Sequence, residues 1–360
     1  MARTAFSTSH ASTVTIWSAL LFRQAQKTTY FQKFMGSTPN DMIQTKTDLS
    51  KEAGDTIKFD LLMNLTGEGI TGDTMIEGNE ESLTLYQDSV TIDLRGNGVR
   101  SAGKMSERRT KHSIREMARY ALGNWMGQIR DDDMYKALSG LVNYAGQATA
   151  INPDAGHLFI GGGAADDTGH EQVTHAALDA SNLLICETIR ACKRKAMLAD
   201  VKVRPLKIEG GDHYVMLIHP YQAKALKSST EYKSMWQNAA PRTSNNPVFT
   251  GAIAMIDGVV IHEYEKIATR LGAGGSTDTE HFTDSSDPVA SGIYCARALF
   301  CGAQAAIYGT GQSPGWYEKN FDYNRVPGVA TDIIYGIKKT RFNSLDYGVI
   351  AVDTAFVIDS

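Results

Sequence analysis

The chain is poor in cysteine. Its 360 residues hold four, Cys186, Cys192, Cys295 and Cys301, with no C-x-x-C pair and no metal-ligand spacing. A disulfide framework and a zinc site are both excluded by that pattern, and reduced, partly buried thiols in a cytosolic setting are expected. No apolar run approaches the roughly 20 residues that span a bilayer. Thr15–Phe22 is apolar but short, and the first residues lack the charged and apolar regions of a signal peptide, so folding in a cytoplasm is expected. Excess positive charge is missing too. With 36 Lys and Arg against 40 Asp and Glu, the net charge of −4 gives no global footprint for nucleic acid and no polybasic signal for a membrane surface.

Catalytic motifs are also lacking. Gly161-Gly162-Gly163 is not followed by Lys-Ser or Lys-Thr and is not preceded by a strong strand, so the phosphate-loop pattern fails. No G-x-S-x-G occurs. Asp131, Asp132 and Asp133 are consecutive on a predicted helix and point about 100° apart, so they cannot converge on one ion. A solvated helix end that frays or bends is the expectation there. His170 and His175 are five apart, not the four of a helical two-His site. His219 and His262 sit singly at strand ends. Glu80 and Glu81 lie in a polar tip, a poor place to exclude water. No catalytic residue, metal ligand or cofactor is therefore assigned.

What is present is a long β-ribbon followed by a long helix. Asp55–Leu65 alternates, with Ile57, Phe59, Leu61 and Met63 on one face. Leu83–Leu94 alternates as the return, with Tyr86, Val90, Ile92 and Leu94 on one face. Between them lie Ile70, Met75, Ile76, Glu77, Glu80 and Glu81, interrupted by Gly67, Gly69, Gly72 and Gly78. An isolated ribbon is marginal in water, so its apolar face needs cover. No other segment looks reserved for that, which points to another copy of the chain. The predicted helix spans about Ser106 to Gly140, with Ser113-x-x-Glu116 as a capping box and Ile114, Met117, Ala121, Trp125, Ile129 and Leu138 as its apolar stripe. Before the ribbon, Trp17, Phe31 and Phe34 are aromatic anchors that also need cover.

The rest is mixed. A helix is expected over Ser181–Ala199, a strand over His213–Ile218, and one helix from Pro220 to Gln237. Asp257-Gly258 marks a hairpin between Ala252–Ile256 and Val259–Tyr264. Tyr294–Tyr308 is a strand or a buried helix, and Ala330–Arg341 and Tyr347–Val357 are closing strands. This order is α+β, without a βαβ repeat. Two basic clusters stand out: Arg108, Arg109, Lys111 and Arg115, and Arg190, Lys193, Arg194 and Lys195. A solvated face, pairing with acidic groups of a neighbour such as Glu77, Glu80 and Glu81, and contact with phosphates all remain open for them.

Several segments resemble the N4-type family of phage major capsid proteins, which have the HK97-type fold. They are FQKFMG at Phe31–Gly36, IQTKTDLSKEAGDTIKF at Ile43–Phe59, and LTGEGITGD and IEGNEESLT at the ribbon tip. FTGAIAMIDGVVIHE at Phe249–Glu263, RALFCGAQAA at Arg297–Ala306 and GIKKTRFNSLDYGVIAVDTA at Gly336–Ala355 are similar to the same family. The resemblance covers nearly the whole chain. It implies an N-arm over 1–39, a P-domain over 40–54 and 101–201 with a spine helix over about 106–140, and an E-loop over 55–100. It further implies an A-domain over 202–328 and returning P-domain strands over 329–360. The implied function is self-assembly of pentamers and hexamers into the icosahedral head enclosing double-stranded DNA. Implied partners are other copies, a decoration protein, a portal, and a scaffold that is separate or absent because no segment precedes the arm. The covalent cross-link of some relatives is not predicted, because its Lys, Asn and Glu cannot be placed. Three rivals use the same residues: an encapsulin-like shell, an α+β enzyme with a dimerisation ribbon, and a nucleic-acid binder using the basic clusters.

Overall fold

The computed structural model describes residues 29–47, 54–62, 69–72, 75–78, 80–83, 85–109, 114–142, 149–162, 171–208, 211–238, 253–271, 289 and 292–358. Trp17, Met63, Lys111, His170 and the loop at 272–287 lie outside them. In chain order the first strands are β1 (Met35–Gly36), β2 (Ile43–Lys46), β3 (Thr56–Leu62), β4 (Leu85–Thr91) and β5 (Asp93–Arg100). Helices α1 (Lys104–Arg109) and α2 (Ile114–Ser139) follow, then β6 (Leu158–Ile160) and α3 (Cys186–Leu198). Next come β7 (Leu206–Ile208), β8 (Gly211–Ile218), α4 (Pro220–Ser228), α5 (Thr230–Asn238), β9 (Ala254–Ile256), β10 (Val259–Glu263) and β11 (Thr269–Leu271). The chain closes with β12 (Tyr294–Cys301), β13 (Ala306–Phe321), β14 (Val326–Lys339), β15 (Arg341–Phe342), β16 (Leu345–Asp346) and β17 (Val349–Phe356).

Two sheets share the helix α2. The smaller has the order β1-β2-β13-β14-β5. The larger has the order β6-β17-β12-β8-β10-β9, with β7 on β8 and β11 on β12. Leu122, Met126, Met134 and Leu138 of α2 pack with Trp316, Tyr335 and Ile337 of the smaller sheet and with Val215, Leu217 and Leu299 of the larger one. The other face of β8, Tyr214, Met216 and Ile218, packs on Ile189, Cys192 and Ala196 of α3 and Ala223 and Leu226 of α4. Burial on both faces explains why Tyr214–Ile218 of β8 is a continuous apolar run and why β12 and β17 are apolar apart from Arg297, Asp353 and Thr354. All four cysteines are buried and reduced.

The sheets do not divide the chain at residue 328. That position falls inside β14, whose partner β13 lies in the smaller sheet, while β17 lies in the larger one beside β12. The ribbon is β3 against β4, and its return ends at Thr91. Asp93–Arg100 instead pairs with β14, so Leu94 belongs to the smaller sheet and not to the ribbon face. The stretch Pro220–Asn238 breaks at Ser229 into two helices.

The helix α2 corrects two expectations. Its buried face is Ala118, Leu122, Met126, Met134 and Leu138, one position round from the expected stripe, and Met117 is 53% exposed. Asp131–Asp133 do not fray it: Asp131 and Asp133 are buried inside an unbroken helix. The three carboxylates do point in three directions, and each grips a different part of the molecule. Asp131 accepts from the backbone N–H groups of Tyr30 (2.7 Å) and Phe31 (3.1 Å). Asp132 pairs with Lys266 at 2.8 Å, in the loop leading to β11. Asp133 accepts from Arg95 Nη2 (3.0 Å) and Tyr335 Oη (2.7 Å) on the smaller sheet.

Gly140 ends α2 as expected, at φ +80°. Leu141 N–H donates to Lys136 O (2.8 Å) and Gly140 N–H to Ala137 O (3.2 Å), a Schellman cap. A Cβ there would lie 2.0 Å from Ile151 O. Gly140→Ala combines a left-handed backbone with a backbone clash, and an expected loss of about 2 kcal/mol or more should appear as a lower urea midpoint.

Candidate assembly interface

The ribbon is anchored by its own chain at the base. Ile57 pairs with Val90, Phe59 with Asp88 and Leu61 with Tyr86, all on one face. Ile57 and Val90 are buried over two glycines of the β13–β14 hairpin. A Cβ on Gly309 would lie 2.7 Å from Ile57 Cδ1, and one on Gly336 would lie 3.0 Å from Val90 Cγ1. The expectation that nothing in this chain covers the ribbon is therefore wrong at the base, where absent side chains make the seat. Further out, Phe59 meets the ring of Phe342 edge-on at 5.8 Å. Lys338 pairs with Asp88 and donates to Ser89 O at 3.0 Å. Leu61 and Tyr86 are half-buried.

Beyond Leu61 the described apolar residues are exposed. Met75 is 76% exposed, Ile76 68% and Leu83 69%, and Ile70 and Leu85 are exposed as well. Glu77, Glu80 and Glu81 are exposed among them, with Glu80 Oε2 accepting from Gly78 N–H at 2.9 Å. The structure thus separates the ribbon into a seated base and an uncovered tip that is apolar and acidic.

The other predicted site residues fall in three places. Phe31 is buried and Phe34 half-buried. Both are covered by this chain: Phe31 packs on Tyr264 (centroids 5.3 Å) and Phe34 on His262 (5.2 Å). Arg115 pairs with Glu318 at 2.6 Å within the chain. Arg108 and Arg109 are exposed on α1. The second basic cluster is internal. Arg190 bridges Glu187 (3.2 Å), Glu231 (2.6 Å) and Asp257 (2.8 Å), and Lys195 pairs with Glu171. It fastens α3 to α5 and to the β9–β10 turn, where Asp257 and Gly258 hold positive φ as the Asp-Gly pair predicts.

The sequence reading missed the far end of the β13–β14 hairpin. Its turn sets Asp322, Tyr323 and Asn324 at φ 48°, 48° and 68°, and Tyr323 is 98% exposed. The turn has no glycine to announce it. Among the described residues no His, Cys, Asp and Glu cluster could hold a metal, and no helix is long and apolar enough to cross a membrane.

Two sheets sharing one long helix, with a ribbon seated on a long hairpin and an uncovered tip, define the HK97-like capsid fold. The capsid of Ralstonia phage GP4 is similar at a TM-score of 0.76 and 30% identity, over 100% of this chain and 96% of that one. The capsid of Cyanophage Pam1 is similar at 0.73 and 25%, over 99% and 97%. The major capsid protein of Pseudomonas phage KPP25 is 29% identical over 377 residues, 95% of this chain and 94% of its own length. Residues 5–358 match the family of phage capsid proteins, and the chain belongs to that family. It is a structural protein of the phage virion, and copies of it build the head shell.

Proposed function

We propose that the chain closes into an icosahedral head of pentamers and hexamers around double-stranded DNA, each copy laying its ribbon over the next. In this reading residues 55–91 are the E-loop. Helix α2 and the smaller sheet form the P-domain, the larger sheet with α3, α4 and α5 forms the A-domain, and the residues before Phe31 are the N-arm. The observation that carries it is the split ribbon: a base buried on glycines of its own chain and a tip whose Met75, Ile76 and Leu83 are left to water. Burying such side chains stabilises by about 1.5–3 kcal/mol each, which is ample when repeated at every contact of a shell. The chain acts by association alone, without catalysis. Its contact with DNA is non-specific, and a decoration protein, a scaffold and a portal are its further partners.

Negative-stain electron microscopy tests this on the protein expressed alone and beside its neighbouring phage genes. Closed shells, tubes or rings of five and six are expected. A discrete monomer or dimer under both conditions would reject it.

A further inference from the structure

The ribbon and the β13–β14 hairpin run in opposite directions. Moving outward along the ribbon, Val90 sits over Gly336, Asp88 meets Lys338 and Phe59 meets Phe342. On β14 and beyond, that series leads away from the turn at Asp322–Asn324. From Gly336 back to Val326, at about 3.3 Å per residue, is roughly another 33 Å. The ribbon tip and the hairpin tip therefore lie at opposite ends of one chain.

The hairpin tip gathers positive charge around an aromatic ring. Arg100 of β5, Gly328 of β14 and Lys319 of β13 lie opposite one another in one row across the sheet. Gly328 offers no side chain, and the Phe321 ring occupies the space: a Cβ at 328 would lie 2.8 Å from Phe321 Cε2. Arg100 stands 4.5 Å and Lys319 5.2 Å from the centre of that ring. Arg325 follows in the turn, its N–H donating to Asp322 O at 2.9 Å. Among the described residues, Arg100, Lys319 and Arg325 form no ion pair. Glu318, the acid nearest in sequence to Lys319, is held by Arg115 (2.6 Å) and by Trp316 Nε1 (2.7 Å). Exposed Asp322 is the acid within the turn. The turn itself is strained. Successive non-glycine residues in the left-handed region each cost of order 1 kcal/mol, and here they hold Tyr323 out in solvent.

The two ends are complementary. One presents Glu77, Glu80 and Glu81 beside Met75 and Ile76; the other presents cations beside Phe321 and Tyr323. We propose that the acidic ribbon tip of one copy docks on the Arg100–Phe321–Lys319 platform and Tyr323 of a neighbouring copy. This rests on the reading of the ribbon as an arm laid over the adjacent copy, and it names where the arm lands. Matching patches at opposite ends make a heterologous contact, in which each copy gives one tip and receives another, and such contacts form rings where the rotation between copies closes. Copies with a net charge of −4 repel one another, and the platform reverses the sign of the field at the point of contact.

Full-length charge-reversed variants test it. One set is Glu77→Lys, Glu80→Lys and Glu81→Lys; the second is Arg100→Glu, Lys319→Glu and Arg325→Glu; a third protein carries both. Shell yield is read by sedimentation and microscopy, and folding by thermal melts of the unassembled protein. Either set alone is expected to lower shell yield about tenfold or more, because like charges then face each other. The combined protein is expected to recover most of that loss, which a folding defect would not allow. Two milder variants, Arg100→Gln and Lys319→Gln, should give a partial loss at unchanged melting temperature.

Failure of the ribbon set with normal shells from the hairpin set would overturn the platform while leaving the ribbon reading intact. Parallel loss in Arg108→Glu with Arg109→Glu would then move the landing site to α1. Normal shells from both sets would overturn both readings. A combined protein no better than either parent would overturn the pairing. Normal hairpin-variant shells that retain less DNA would assign these cations to phosphate instead.

Discussion

Asp353→Ala is expected to lower the folding free energy by about 3–5 kcal/mol, the cost of leaving a buried charge without its partner. The carboxylate of Asp353 is fully buried on β17. It accepts from Arg297 Nε (2.9 Å) and Nη2 (2.7 Å) on β12, and it binds His175 Nε2 at 2.8 Å. Arg297 also donates from Nη1 to Ser139 O (3.4 Å), at the negative end of the α2 dipole. One carboxylate thus joins β17, β12 and the segment at His175, and through Arg297 reaches the end of α2. Its removal leaves the Arg297 guanidinium buried without an anion. Burial alone would raise the pKa of Asp353, but the charge and hydrogen bonds of Arg297, with the His175 bond, outweigh it and hold the carboxyl below the usual carboxylate value. A lowered carboxylate pKa stabilises fully above the unfolded value and is lost as pH falls through the folded one. Urea midpoints of the wild type should therefore drop below about pH 4. Asp353→Asn should start lower at pH 7 and fall less steeply through that window. A midpoint for Asp353→Ala within error of wild type would show that the knot contributes nothing.

What the sequence made legible follows the physics of burial. Strands covered on both faces, such as Tyr214–Ile218 and Val349–Val352, carry uninterrupted apolar runs and are readable. The hairpin strand Ala306–Phe321 was not, although it is the longest strand described. It contains Gly309, Gly311, Pro314 and Gly315 and shifts register between Thr310 and Gln312 and again before Gly315, so its alternation is broken twice. One of those glycines, Gly309, seats Ile57 of the ribbon, so a feature that hides the strand also gives it a role. The buried face of α2 was misjudged for a related reason. It includes Gly123, Gly127, Arg130, Asp131 and Asp133, whose burial depends on partners more than 30 residues away. A hydropathy pattern cannot register them. Within the proposed interface, the acidic, apolar tip is visible because both of its chemical halves are contiguous in sequence. The platform was hidden because Arg100 and Lys319 meet only through β14.

Excision of residues 67–78 is expected to leave a folded chain that no longer closes shells. The ribbon base keeps Ile57 over Gly309, Val90 over Gly336 and Asp88 on Lys338, so the fold loses none of its described core. What goes is Ile70, Met75, Ile76 and Glu77, together with Gly69, Gly72 and Gly78, whose φ of +71°, +70° and +90° shape the tip. These glycines allow backbone angles closed to other residues, and in the proposed shell they let one tip meet neighbours at different angles. Losing the contacts of Met75 and Ile76 alone, about 1.5–3 kcal/mol each, is expected to weaken every junction by a factor of roughly 10² or more. Because a closed shell needs every junction at once, assembly falls far more steeply than pairwise affinity. Sedimentation should find monomers or small rings, with a melting temperature within a few degrees of the unassembled wild type. Normal shells from this variant would mean that the tip carries no assembly contact, and the remaining exposed surfaces of α1, α2 and the hairpin would have to supply all of them.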